Sequence, residues 1–196
     1  MSSTTNIYRV EPLRTREEIK EMKLALQRGN KDVPKRAKLA ERDVLLFLIG
    51  INTGLQVQDL VRLKVGDVRG KEAFLISEGK TCEKRKIYLH MLQREIQQYT
   101  MDKHDKAFLF PSQKGIEAIS KTQVYRILTD AADWLGRNDI GTHTMRKTFG
   151  YHHYKKYRNI AVLQRIFHHA APNVTKRYIG LQQEDFHISY QDFRLG

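Results

Sequence analysis

The sequence is poor in the residues that build disulfide frameworks and membrane spans. Cys82 is the only cysteine among 196 residues, so neither an intrachain disulfide nor a cysteine-based zinc site can form, and a reducing cytoplasm is the expected location. The longest apolar run, Val44 to Ile49, is too short to cross a bilayer, and the first residues contain no apolar run typical of a signal peptide. These absences argue against a secreted or membrane-bound protein.

Carboxylates are also scarce, and they are absent where the cations are densest. The chain has 35 Lys and Arg against 22 Asp and Glu, which gives a formal net charge of +13 at pH 7. Residues 141–180 hold eight Lys or Arg and no Asp or Glu. A merely soluble basic surface would mix both signs, so this clustering favours a polyanionic partner, and nucleic acid is the first candidate.

Helical signals dominate the rest of the chain. Thr15 and Glu18 have the spacing of a capping box, Pro34 can open a second helix, and Ser120 can cap a later one. Residues 1–13 carry no such signal and are expected to form an irregular lead-in. No internal repeat or linker interrupts the pattern, and we expect one domain over the whole chain.

Residues 68–90 break the helical pattern. The runs KEAFLISEGKT and KRKIYL read as two strands, with Gly70 and Gly79 at turn positions, which predicts a small antiparallel sheet. The chain is therefore predicted to be mainly α with a small antiparallel β-sheet. Trp134 recurs at helical spacing with apolar neighbours and is expected in the core.

The basic stretch carries groups that can act on a phosphodiester without a metal. It contains His143 and Arg146 as a His-x-x-Arg pair, then His169, and nine residues later Tyr178. The planar arginine fork can hold two phosphate oxygens, the imidazoles can exchange protons, and the phenol can attack phosphorus. None of the eight histidines forms an i, i+4 pair, so no metal site is expected.

The ordered string HTMRKTFGYHHY…LQRIFHHAAPNVTKRYIG resembles the C-terminal signature of the tyrosine recombinases, the phage integrase family. The resemblance covers roughly residues 35–180. It implies a recombinase catalytic domain that cuts and rejoins double-stranded DNA through a 3′-phosphotyrosine on Tyr178, as an integrase of a mobile element. Arg146, His143 and His169 would then contact the scissile phosphate. Neither a cofactor nor a small-molecule substrate is implied.

One catalytic position departs from the family. The segment TGLQVQDLVRLKVGDV is similar to a family segment that carries the first catalytic arginine, and Gln56 occupies that position. Losing one positioned donor costs on the order of 10²–10³ in rate, and losing an arginine at a phosphoryl centre about 10³–10⁵. Arg62 and Lys64 lie nearby in sequence but are expected to face elsewhere. Asp59 and Asp67 match family acids and are interpreted as structural.

The family also places a catalytic lysine on a β-hairpin. Lys80, in a Gly-Lys-Thr element, matches best, with Lys84 and Lys86 as alternatives. Before its second histidine the family usually has Gly or Asn, whereas this chain has His168, which we interpret as a tolerated variant. Further cations are expected to contact DNA: Lys147, Lys155, Lys156, Arg165, Lys176 and Arg177.

The resemblance implies a single catalytic domain over residues 1–196, without a separate N-terminal core-binding domain. Residues 181–196 are rich in apolar side chains, and they either pack on a neighbouring protomer in a homo-oligomer on DNA or fold back on their own domain. Tyr190 is the other late tyrosine that could serve as nucleophile.

Three explanations of Gln56 remain: a slow or conditional recombinase, a DNA-binding descendant or regulator that no longer cuts, or an engineered substitution. A type IB topoisomerase is the nearest enzymatic rival, because it shares the tyrosine and the cations. Such an enzyme would act as a monomer, whereas strand exchange requires an assembly of protomers.

Overall fold

The structure is a computed structural model that describes residues 10–28, 34–77, 84–113 and 115–181. The described residues do not include Lys80 or residues 182–196, which contain Tyr190. The suggested packing of the C-terminal segment on a neighbouring protomer therefore also falls outside the described residues.

Within the described residues the chain forms nine α-helices and two strands. In chain order they are α1 (Arg16–Arg28), α2 (Pro34–Thr53), α3 (Val57–Leu60), α4 (Val65–Val68), β1 (Ala73–Ser77), β2 (Lys84–Tyr88), α5 (Gln93–Thr100), α6 (Lys121–Trp134), α7 (Thr142–Tyr157), α8 (Ile160–Phe167) and α9 (Pro172–Tyr178). A short 3₁₀ turn, His90–Leu92, precedes α5. No helix of the described residues is both long enough and apolar enough to cross a membrane.

Local hydrogen bonds set where α1 and α6 begin. The Thr15 hydroxyl accepts from the Glu18 amide at 3.1 Å, and the Glu18 carboxylate accepts from the Thr15 amide at 2.8 Å. The Ser120 hydroxyl accepts from the Gln123 amide at 3.1 Å. Each bond satisfies an amide that the first helical turn leaves without a partner, so both predicted caps are confirmed.

The two strands pair antiparallel, with Phe74 opposite Ile87 and Leu75 opposite Lys86. Phe74 and Ile87 are buried, whereas Leu75 on the other face is 62% exposed. One face of the hairpin therefore packs on the core and the other faces solvent, as successive residues of a strand alternate. The mainly helical fold with a small antiparallel sheet is confirmed.

Helices α2 and α7 form the centre of the domain. α2 packs against α1, α5 and α7. Gly50 permits this close approach, because a Cβ there would lie 2.6 Å from the sulfur of Met145. A second apolar cluster, built on Leu163, Phe167 and Ile179, joins α7 to α8 and α9. The candidate site lies beside this cluster, at the start of α7.

The lead-in is irregular but tied to the central helix. The Leu13 amide donates to the Thr148 hydroxyl at 2.9 Å, and the Arg14 side chain donates to the carbonyl of Gly180 at 2.8 Å. Leu13 itself is only 1% exposed. These contacts attach residues 10–14 to α7 and to the turn after α9.

The prediction that Trp134 is in the core was wrong. It ends α6 with 57% of its surface exposed, and its ring lies 4.6 Å from the Arg28 guanidinium carbon. Helical spacing identifies the face of α6 that turns inward, but it does not show that the core ends before the last residue of the helix.

Arg137 joins α1 to the segment before α7. It lies 2.6 Å from Glu18 and 2.8 Å from Asp139. Its hydrogen bonds hold the pKa of the Asp139 carboxyl below the ordinary value. Burial alone would raise the pKa of Glu18, but bonds from the Thr15 amide and Arg137 outweigh it and lower that pKa.

Replacing Arg137 with alanine should lower the free energy of unfolding by about 1–2 kcal/mol at pH 7, a value reduced for the partial exposure of the pair. Because both carboxyl pKa values are lowered in the folded state, this stability is present above the unfolded values, about 4, and is lost as pH falls through the folded ones. Urea unfolding of both proteins at pH 7 and pH 3 tests this. A gap that stays constant with pH would contradict it.

Candidate active site

The start of α7 and the end of α9 bring His143 and Tyr178 together. α7 begins at Thr142, and the Thr144 hydroxyl accepts from the Gly141 amide at 3.1 Å, which caps it. His143 therefore lies in the first turn, and its Nδ1 is 3.3 Å from the Tyr178 hydroxyl. A histidine and a tyrosine 35 residues apart in sequence are thus within hydrogen-bond reach of each other.

Arg146, one turn after His143, is held from two sides. It is 5% exposed, it donates to the Gly54 carbonyl, and its second amino group lies 3.4 Å from the Ile166 carbonyl. Its guanidinium carbon also stacks 4.6 Å from the centroid of Phe167. These contacts orient the planar fork before any substrate arrives.

Gly54 has a backbone that other residues rarely adopt. Its φ is +64°, and a Cβ there would lie 2.4 Å from the Phe149 ring. Glycine alone therefore allows the turn that presents its carbonyl to Arg146. Two residues later, Gln56 immediately precedes α3 and lines the same cavity as Arg146.

His169 also packs against the tyrosine ring. Its Nδ1 is 3.0 Å from the Thr175 hydroxyl in α9, and its ring centroid is 5.0 Å from that of Tyr178. The preceding residue, His168, ends α8 with a φ of +55°. Glycine and asparagine take this left-handed conformation most readily, and histidine is among the other residues enriched in it, so the position accounts for the substitution.

One cavity of about 540 Å³ brings five of the six predicted catalytic residues together. They are Gln56, His143, Arg146, His169 and Tyr178. The sixth, Lys80, lies outside the described residues. The alternatives Lys84 and Lys86 lie on β2 and do not line this cavity.

The cavity is also lined by a lysine that the sequence motifs did not indicate. Lys121, the first residue of α6, lines it, and its Nζ lies 3.2 Å from Oε1 of Gln58. Lys121 is distant in sequence from every motif, so only the packing of α6 against α3 brings it here. Neither Arg62 nor Lys64 is among the lining residues.

Burial and neighbouring cations set the protonation of the site. Burial raises the pKa of Tyr178 above that of a free tyrosine, although Arg146 opposes the change. Burial, followed by the charges of Lys147 and Arg146, lowers the pKa of His143 below 6.5. Burial and Arg146 also lower the pKa of His169. At neutral pH His143 is therefore neutral and able to accept a proton from the protonated Tyr178.

The His143 titration gives a test that needs no substrate. Because the folded pKa is lowered, the ring should titrate with a midpoint below pH 6.5, measured from its imidazole NMR signals in the protein without DNA. The assignment comes from the signal lost in His143→Gln. A His143 midpoint at or above 6.5 would contradict the electrostatic description.

The cations expected to contact DNA are placed differently from one another. Lys147 is buried, donates to the Val10 carbonyl at 2.6 Å and lies 5.5 Å from the Tyr178 ring centroid. Lys147 therefore attaches α7 to residues 10–14 and places a positive charge near the Tyr178 ring. The side chains of Lys156, Arg165 and Arg177 are exposed, whereas two others are half-buried, Lys155 and Lys176.

Neither of the two acids interpreted as structural lines the cavity. Asp59 is 9% exposed on α3. The Asp67 carboxylate accepts from the Lys64 amide at 2.7 Å and so caps α4. Among the described residues, no three His, Cys, Asp or Glu side chains are grouped closely enough to hold a metal ion.

Comparison with known proteins places these residues in context. A model of the phage integrase family matches residues 15–185. YoeC of Bacillus subtilis (strain 168), named a probable integrase/recombinase, is 43% identical over 185 residues, which are 94% of this chain and 97% of YoeC. Tyrosine recombinase XerA of Pyrococcus furiosus is 30% identical over 142 residues, which are 70% of this chain and 49% of XerA.

A solved structure shares the fold at low identity. The site-specific recombinase XerH, crystallised on its palindromic difH substrate as a post-cleavage complex, superposes with a TM-score of 0.72 at 20% identity. The match covers 98% of this chain and 55% of XerH. The chain therefore spans about half the length of XerA and XerH but nearly all of YoeC.

Proposed function

This chain belongs to the phage integrase family, and on that premise we propose that it is a tyrosine-type site-specific DNA recombinase that cuts and rejoins double-stranded DNA through Tyr178. The observation that carries the proposal is the position of the Tyr178 hydroxyl, 3.3 Å from His143 in the cavity that Arg146 and His169 also line. A nucleophile, a neutral proton acceptor and a phosphate-binding cation thus face one volume.

In the proposed cleavage step, the Tyr178 oxygen attacks the scissile phosphorus and forms a 3′-phosphotyrosine. His143 accepts the phenolic proton through Nδ1, and the bond from phosphorus to the 5′-oxygen breaks. The leaving 5′-oxygen takes a proton from a general acid, a role we propose for Lys80. Because the phosphotyrosine keeps the energy of the diester, attack by a 5′-hydroxyl restores the DNA backbone without ATP or another cofactor.

Arg146 and His169 stabilise the charge that develops on the phosphate. A guanidinium carries five N–H donors, so Arg146 can hold the carbonyls of Gly54 and Ile166 and also donate to a phosphate oxygen. His169 is oriented by Thr175 through Nδ1, and its Nε2 is the nitrogen that would donate to a phosphate oxygen. Donors positioned in advance stabilise a transition state without reorganisation.

Exposed cations are proposed to supply the DNA interface. Lys156, Arg165 and Arg177 are exposed and would contact backbone phosphates, so binding should weaken as salt rises. Strand exchange cuts two duplexes, so the proposed working form is a homo-oligomer on DNA in which each protomer contributes its own tyrosine. XerH, which shares the fold, was crystallised on a DNA substrate as a post-cleavage complex. The proposed location is the cytoplasm, and a single catalytic domain over the whole chain remains part of the proposal.

Covalent trapping tests the proposal. The protein is incubated with sheared, nicked genomic DNA, digested, and searched by mass spectrometry for a nucleotide-modified tyrosine, while the attached DNA is sequenced. A modified Tyr178 and a recurring DNA sequence are the expected results. Salt-sensitive DNA binding without any adduct, in this protein and in Gln56→Arg, would instead identify a binding protein that no longer cuts.

A further inference from the structure

The cavity lacks charge where Gln56 stands, and a lysine from another element lines the same cavity. Gln56 immediately precedes α3, and Gln58 is the second residue of that helix. The Gln58 side-chain oxygen accepts from Lys121 at 3.2 Å, and all three side chains line the cavity that holds Tyr178. The ammonium is therefore held at α3, within the cavity that Gln56 also lines.

We propose that Lys121 contacts the scissile phosphate and supplies the positive charge that Gln56 does not, with Gln58 positioning its ammonium. The inference rests on the proposed function and adds a phosphate-binding residue from α6 to it. Among the described residues, Arg146 and Lys121 are the lysine and arginine side chains that line this cavity. Without Lys121 a single described guanidinium would face a phosphate that carries increasing negative charge during attack.

The partner of Lys121 suits this role. Gln58 presents an uncharged amide oxygen, which can fix the position of an ammonium without neutralising it. A carboxylate there would form an ion pair and reduce the charge available to a phosphate. Among the described residues, no Asp or Glu lines the cavity.

The start of α6 fixes the backbone of Lys121 but leaves its ammonium able to move. Ser120 and Gln123 cap the helix reciprocally, which fixes the backbone at Lys121. The side chain is exposed, and its four-carbon stem lets the ammonium move from Gln58 to a phosphate oxygen when DNA binds. Lys147 is not placed to act in this way, because it does not line the cavity and its ammonium donates to the Val10 carbonyl at 2.6 Å.

A double-mutant cycle tests the inference. The probes are synthetic nicked duplexes with the DNA sequence recovered by covalent trapping, and the readout is the single-turnover rate of Tyr178 adduct formation. Lys121→Ala should lower this rate about 10²-fold, and Gln56→Arg should raise it about 10²-fold. If Lys121 and the arginine introduced at position 56 neutralise the same phosphate charge, Lys121→Ala should change the rate less than about threefold in the Gln56→Arg background.

Matched controls separate this role from general DNA binding. Arg126→Ala removes one exposed charge from the same helix, outside the cavity, and should leave the rate within about threefold. Lys121→Arg should restore at least a tenth of the activity, because it keeps the charge. Equal rates for Lys121→Ala and the unmodified protein would overturn the inference while leaving the recombinase intact. No adduct in the unmodified protein or in Gln56→Arg would overturn both proposals.

Modified substrates separate charge neutralisation from acid catalysis. A methylphosphonate at the scissile position is uncharged, so Lys121→Ala should lose less than about threefold in rate on that duplex. A 5′-thiolate leaving group needs no proton, and the variant should keep its full defect on that duplex. The reverse pattern would make Lys121 the general acid and would overturn the assignment.

Discussion

Replacing Tyr178 with phenylalanine is expected to abolish the covalent adduct and reduce the cleavage rate by at least about 10⁴-fold. The substitution removes only the hydroxyl that lies 3.3 Å from His143. Removing a nucleophile commonly costs this much, because the remaining groups cannot form the covalent intermediate. Adducts that survive denaturing electrophoresis on the nicked duplex measure the effect.

The phenylalanine variant should remain folded and bind DNA. The Tyr178 ring packs 5.3 Å from Phe167 and 5.0 Å from His169, measured between centroids, and phenylalanine keeps both contacts. Melting temperature and DNA affinity should therefore stay close to those of the unmodified protein. Tyr190→Phe is the matched control and should retain the adduct. An adduct that persists in Tyr178→Phe and disappears in Tyr190→Phe would reassign the nucleophile.

Arg146→Ala should lower the cleavage rate by about 10³–10⁵-fold, and Arg146→Lys by about 10²-fold. Alanine removes both the charge and the fork, whereas lysine keeps a charge but cannot hold two phosphate oxygens in one plane. The side chain also binds the carbonyls of Gly54 and Ile166. Alanine leaves those buried acceptors without it and should lower the free energy of unfolding by about 2–3 kcal/mol.

A second destabilised variant separates folding from chemistry. Leu163 is fully buried in the apolar cluster beside the site but does not line the cavity. Leu163→Ala should cost about 2–5 kcal/mol of stability and yet cleave at close to the unmodified rate at temperatures where it is folded. Chemical denaturation and single-turnover cleavage are measured on the variants in parallel. A folded Arg146→Ala protein that cleaves as fast as Leu163→Ala would remove Arg146 from the catalytic centre.

Much of the site could be predicted from the sequence because several of its residues lie at short, recognisable spacings. His143 and Arg146 are three residues apart, which a helix converts directly into one face. The capping pairs Thr15–Glu18 and Ser120–Gln123 act within one turn, so sequence alone located the starts of α1 and α6. The two strands could be predicted for the same reason, because the alternation of buried and exposed side chains depends on residues two positions apart.

Other features depend on contacts between distant segments. Lys147 belongs to the same basic stretch as Lys156, yet one is buried on the Val10 carbonyl and the other is exposed. Nothing in local spacing distinguishes them, because the difference comes from where residues 10–14 lie along α7. Trp134 was misjudged for a related reason, since its exposure depends on where the core ends around α6.

By itself the sequence predicted the family, the helical fold with its hairpin, and five of the residues that line the cavity. Those predictions follow from residue types and from their order and spacing along the chain. The tertiary structure decided which groups share one cavity. It brought Lys121 into the cavity that Gln56 lines and put the Tyr178 hydroxyl 3.3 Å from His143, and it also buried Arg146 between two carbonyls. The reason is physical: side chains far apart in sequence meet only through the packing of α3, α6, α7 and α9, and that packing is a property of the whole core.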